Sequence, residues 1–201
     1  MRAILARHGE TARSALGRTN GDPTVACALT EAGHRQAREL GRVLAGDQID
    51  LCVTSEFERT RETADLALEG RDVPRLVLPG LNDIRFGEFE GRALTEYRVW
   101  AHTHSPLDPA PGGGESRAET VSRYVKAYRV ILARPEDTIL VVAHGLPLRY
   151  VLEALEDRTP AAVIAQVPYA QPFRVDAAAL RAAVDLLERW AAAPAWATSA
   201  G

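Results

Sequence analysis

"AILARHGETARS", residues 3–14, runs four apolar side chains into Arg7 and His8 and turns at once on Gly9. So short an apolar run reads as a buried strand rather than a helix. Two further stretches repeat the plan. "LCVTSEFERTRET" (51–63) and "TILVVAHGLPLR" (138–149) each pass from an apolar run to a charged or titratable group, Arg59 in the first and His144 in the second. In a parallel α/β sheet the carboxyl ends of the strands share one edge, where ligands bind and helix N-termini point inward. Residues far apart in sequence then converge on one anion-binding pocket.

The rest of the chain supports that architecture. Strands are expected at 2–6, 50–54, 74–78 and 138–143, with a weaker candidate at 172–175. Between them lie helical patterns. Residues 30–45 follow Thr30 as N-cap and carry Ala37, Leu40, Gly41 and Leu44 at helical spacing. For 56–69, Ser55 and Glu58 read as a capping box; Ser116 and Glu119 form another, opening a helix with Val121, Tyr124, Val125, Tyr128 and Leu132 on one face. Residues 146–156 and 177–192 complete the set. Strands alternating with helices predict a three-layer α/β/α sandwich around a mostly parallel sheet, formed by one domain over 1–201. The Pro/Gly-rich stretch 105–116 is a loop, and the Ala-rich 191–201 is expected to fray.

Composition narrows the function. The 201 residues are 46% hydrophobic and 25% charged, with a net charge of -3. That balance gives no basic footprint for nucleic acid and no polybasic membrane patch, so an arginine cluster implies a small anionic ligand. No apolar run reaches membrane-spanning length, and the strand begins too near Met1 for a signal peptide. Cys27 and Cys52 have no paired spacing, as expected for reduced thiols in a cytoplasmic protein.

Two arginines offer forked donors to phosphate oxygens, and two histidines offer a nucleophile and a further donor. Attack by an imidazole nitrogen gives a phosphohistidine that water hydrolyses. The missing acid is sought in "LNDIRFGEFEG" (81–91), which supplies Asp83, Glu88 and Glu90.

These segments resemble the histidine phosphatase (phosphoglycerate mutase-like) superfamily. "RHGET" is similar to its nucleophile signature and "TSEFERTRETA" to its S-x-L-x-R-A-x-x-T-A, with Arg59 in register and Arg61 at a variable position. "LNDIRFGEFEG" is similar to L-x-E-x-x-x-G-x-x-E-G, "GGES" to the loop before a helix, and "VVAHG" to the second-histidine segment. The resemblance runs in family order from residue 4 to about 150. It implies a phosphoglycerate mutase-like fold, His8 as nucleophile, and Arg7, Arg59 and His144 around the phosphoryl group. It also places Ser14, Asn20, Gly21 and Gly145 against phosphate or substrate. Asp83 stands where the family has a glutamate proton donor, with Glu88 as rival, and Ser14 where many members have asparagine.

The function expected is that of a metal- and cofactor-independent phosphomonoesterase acting on a small phosphorylated substrate, its approach lined by residues 85–116. A cofactor-dependent phosphoglycerate mutase is the alternative, and a non-catalytic phospho-ligand binder a lesser one. A phosphoprotein phosphatase would need an open pocket mouth. A homodimer is left open. His102 and His104, two apart at a helix end, do not share a face and read as solvated surface rather than metal ligands. His34 is expected to be exposed, and Arg149 to form a structural ion pair.

Overall fold

The computed structural model describes residues 1–196. The apolar run of the opening stretch forms β1 (Arg2–Arg7), which lies inside a five-stranded sheet of order β3-β2-β4-β1-β5. Its parallel members are β1, β2 (Leu51–Thr54), β3 (Arg75–Val77) and β4 (Thr138–Ala143); the edge strand β5 (Phe173–Asp176) runs antiparallel to β1. Successive side chains serve opposite faces. Ile4, Ala6, Cys52, Leu140 and Val142 enter one core, while Ala3, Leu5, Val53, Ile139 and Val141 enter the other. Burial on both faces is why these strands read as unbroken apolar runs.

The first face is covered by α2 (Glu31–Val43) and α3 (Glu58–Ala67) through Leu40, Ala64 and Ala67. The second is covered by α5 (Arg117–Leu132), α6 (Gly145–Ala154) and α7 (Ala177–Ala192), with Val121, Tyr128, Leu148, Val151, Leu180 and Leu187 fully buried. This is the expected three-layer α/β/α sandwich. Two short helices stand over the carboxyl edge: α1 (Ala12–Ala15), which the sequence does not mark, and α4 (Leu94–Thr103), of which it marks only the end at His102 and His104. Thr30 and Ser116 cap α2 and α5 as read, and Glu119 closes its box.

Ser55 does not cap α3. The helix begins two residues later, after Phe57, and the Ser55 hydroxyl is taken by a tertiary partner, His144. Glu58 instead accepts from the Cys27 amide. Nor do residues 191–196 fray: α7 continues to Ala192, and the Trp196 indole donates to the His104 carbonyl at 2.7 Å. Residues 197–201 of that stretch lie outside the described ones. Cys27 and Cys52 are both free thiols. Among the described residues no helix is long and apolar enough to cross a membrane.

Candidate active site

β1 ends on Arg7 and hands His8 to the carboxyl edge, its amide still bonded to Ala143 O of β4. The turn needs glycine next, because a Cβ on Gly9 would lie 2.7 Å from the Gly33 carbonyl oxygen at the start of α2. The Gly9 amide donates to Thr63 Oγ1 on α3, so the turn is pinned from both helices of that layer. His8 is 4% exposed. Its Nδ1 sits 2.7 Å from Gly9 O, while Arg59 Nε donates to its Nε2 at 3.2 Å. Nδ1 therefore carries the hydrogen and Nε2 presents a lone pair. Burial first, then Arg59 and Arg7, hold the imidazole well below its ordinary value, so it stays neutral.

Arg59, in the first turn of α3, is the hub. Beside its bond to His8, it donates to Asn20 O and Oδ1 and, through Nη2 at 3.1 Å, to His144 Nδ1. Burial lowers it to about 10, which leaves it charged at neutral pH. His144 is wholly buried ahead of α6. With Nδ1 accepting from Arg59, its Nε2–H donates to Ser55 Oγ at 2.8 Å, and Ser55 leans on Thr60 Oγ1. That chain sets the ring's tautomer. Burial and the surrounding cations hold His144, like His8, well below its usual range.

Asp83 faces both. Its Oδ2 lies 3.7 Å from Arg59 Nη2 and 3.8 Å from His144 Nδ1, and its Oδ1 accepts from the Ile84 amide. Burial raises the carboxyl, and Arg59 opposes the rise. The backbone beneath it is held by Arg123 on α5, which donates to the carbonyls of Gly80, Asn82 and Asp83. Glu115, 4% exposed, fixes Arg123 and accepts from the Arg85 amide. The rival acids do not line the cleft. Glu88 stands outside it, its backbone amide bonded to Pro111 O. Glu90 accepts from the amides of Gly21 and Phe86.

These groups form the floor of a cleft of about 510 Å³. Arg7 crosses it, donating to Gln166 Oε1 and Val167 O and stacking on Tyr169 at 4.1 Å, while its buried Nε has no partner among the described residues. Asn20, Ser14 and Gly145 line the cleft; the Ser14 hydroxyl, however, is turned back on Thr11. Gly21 sits behind, its amide given to Glu90, and its lack of a side chain matters because a Cβ would lie 2.0 Å from Ile84 O. Arg61 is exposed on α3.

The walls include Phe86, Leu94, Tyr97 and Arg98 from the expected 85–116 stretch, but also Arg117 and the segment 162–169, which nothing in the periodicity marked. Among the described residues Arg149 has no ion-pair partner; it donates to the carbonyls of Ala165 and Gln166 and braces that segment from behind. His102 and His104 are exposed, with His104 stacked on Trp100 at 4.7 Å. His34 is half-buried against Glu62 at 2.7 Å rather than exposed.

The sequence matches the family model described as the histidine phosphatase superfamily (branch 1) over residues 3–179. It is 37% identical over 154 residues to the adenosylcobalamin/alpha-ribazole phosphatase of Salmonella typhimurium, covering 72% of this chain and 74% of that one. It is 34% identical over 175 residues to the 2,3-bisphosphoglycerate-dependent phosphoglycerate mutase of a Methylobacterium species, covering 78% and 81%. The crystal structure of the alpha-ribazole phosphatase from Shigella flexneri superposes with a TM-score of 0.73 at 27% identity, over 88% of this chain and 90% of that one. With the family pattern matched from the first strand into the last helix, the chain belongs to the histidine phosphatase superfamily and is a phosphatase of that superfamily.

Proposed function

We propose that the protein hydrolyses small phosphomonoesters through a phosphohistidine on His8. The observation that carries this reading is the orientation of His8: Nδ1–H is committed to Gly9 O, and the Nε2 lone pair faces Arg59. An arriving phosphoryl group takes over donors from Arg59, including the Nη2 that otherwise bonds His144 Nδ1, and from Arg7, whose buried Nε is unpartnered among the described residues. Nε2 then attacks phosphorus in line. The N–P bond forms as the ester P–O bond breaks, and the leaving oxygen takes a proton from Asp83, whose raised carboxyl favours that form. The Nδ1–H···O=C bond supports the positive charge that develops on the ring. Water next attacks phosphorus, gives its proton to the Asp83 carboxylate, and returns the bonding pair to Nε2. The two arginines carry charge stabilisation throughout.

Similarity to an alpha-ribazole phosphatase and to a phosphoglycerate mutase makes both kinds of substrate worth testing. Acid-labile phosphate trapped on wild-type protein and absent from His8→Asn is the expected result. Substantial turnover by His8→Asn would refute the covalent route.

A further inference from the structure

Among the described residues, six arginines (Arg7, Arg13, Arg18, Arg59, Arg98 and Arg117) and a single carboxylate, Asp83, line the cleft, although the chain as a whole is acidic. One phosphoryl group on His8 engages Arg7 and Arg59. The outer cations are left over, and Arg117 is the least expected of them. It is 5% exposed, yet its partners are neutral: Tyr97 Oη at 2.8 Å, Tyr150 Oη at 2.5 Å and Ala162 O at 3.3 Å. Among the described residues no carboxylate lies within ion-pair distance of it. Three of its five N–H donors are used, which leaves two and a full charge at the cavity wall. Arg98 stands beside it, donating to Ile164 O, and is lowered by burial and then by Arg117 itself. A buried guanidinium whose partners are all neutral, with a half-buried arginine beside it, suits an anion that joins the two.

The segment 162–169 fixes where they stand. Its residues meet the arginines in order: Ala162 with Arg117, Ile164 with Arg98, then Gln166 and Val167 with Arg7. Four residues of chain from Ala162 to Gln166 span at most about 14 Å. The lining also contains Phe86, Leu94, Leu146 and Val167, which present apolar surface.

Building on the phosphomonoesterase reading, we infer that Arg98 and Arg117 form a subsite for a second anionic group, so that the preferred substrate is a phosphomonoester whose leaving group has an apolar body ending in a carboxylate or phosphate. The subsite selects the substrate and does not touch the reacting atoms.

Binding of non-hydrolysable benzylphosphonates tests this without turnover. Calorimetry compares para-carboxy, para-carboxymethyl and para-phosphonomethyl members with the neutral para-carbamoyl member. Wild type should bind at least one anionic member about tenfold or more tightly than the neutral one, as expected for charge-assisted bonds to a buried cation. The better of carboxylate and phosphonate identifies the second group. In Arg98→Met and Arg117→Met the anionic-to-neutral ratio should fall toward one. Should Arg117→Met fail to fold, Arg98→Met carries the comparison. A wild-type ratio below about two for every anionic member, or an unchanged ratio in the folded variants, would overturn the subsite. Hydrolysis of phenyl phosphate, measured alongside, reports separately on the parent reading: turnover with a flat ratio removes only the subsite.

Discussion

Lowering the pH from 7 to 5 should destabilise the protein through His8 and His144. Both are buried, both are held well below their ordinary value, and the groups that do so are burial and the guanidinium of Arg59. The unfolded chain binds a proton on each histidine below about pH 6.5, whereas the native state does not. Stability contributed by a depressed histidine is therefore present above that pH and is lost as pH falls toward the native value. At pH 5 an exposed imidazole is about 30:1 protonated, so a histidine still neutral in the native state gives up about 2 kcal/mol between pH 7 and 5. The pair gives up at most about 4 kcal/mol. Asp83 has the opposite sign: its raised carboxyl makes stability fall as pH rises from its unfolded value through its native one. Comparison of wild type with His8→Asn cancels that contribution and every other shared one. Urea unfolding in chloride buffer, free of phosphate, should show wild type losing about 2 kcal/mol more than His8→Asn over this interval. Parallel curves for the two proteins would mean that His8 takes up its proton between pH 7 and 5 as readily in the native state as in the unfolded chain, and wild type gaining stability relative to His8→Asn would mean that His8 is protonated throughout; the depressed imidazole would have to be abandoned in either case.

Asp83→Asn should slow alkyl phosphates by about a hundredfold or more and aryl phosphates far less, because a phenolate needs little help in leaving; equal losses would remove Asp83 as donor, and Glu88→Gln should leave both rates near wild type. With alkyl substrates kcat/KM should fall as pH rises through the Asp83 value, a limb that Asp83→Asn abolishes. Ser55→Ala should cost about tenfold in kcat/KM by freeing His144 to rotate, with the fold retained by circular dichroism. The cations facing phosphate are arginines, so treatment with EDTA should leave the rate unchanged. A loss restored by a divalent ion would contradict that expectation.

The site was legible where it is carried by strand ends. Arg7, His8, Arg59 and His144 follow apolar runs, and the sheet brings those ends together regardless of what lies between. Illegible parts are long-range contacts without a local signature. Ser55 looks like a helix cap because the two residues that would complete that reading are close in sequence; the partner that claims it is 89 residues away. Glu115 and Arg123 read as loop and helix surface, yet together they hold the backbone of Asp83. Segment 162–169 has no regular structure and so no periodicity, although it grips Arg7 and closes one wall of the cleft.

Arg117 alters the argument between hydrolase and mutase. Counting basic side chains between 86 and 116 finds only Arg92 and Arg98, too little charge to grip a bisphosphorylated intermediate. Arg92 pairs with Glu96 outside the cleft, while Arg13, Arg18 and Arg117 join it from elsewhere in the chain. Charge alone therefore no longer disfavours a mutase. Asymmetry does. A mutase must present either ester oxygen of a three-carbon acid to the same nucleophile, so its two anion grips must be interchangeable across a short molecule. Here the inner grip contains both histidines and Arg59, and the outer one contains phenols, a carbonyl and two arginines that meet the 162–169 segment at other points. We therefore expect a ligand to prefer one orientation and water to reach His8 once the organic product has left. Phosphate release from 3-phosphoglycerate should outpace its conversion to 2-phosphoglycerate in the same preparation, and 2,3-bisphosphoglycerate should not stimulate it. Interconversion faster than phosphate release would show that the two grips do exchange.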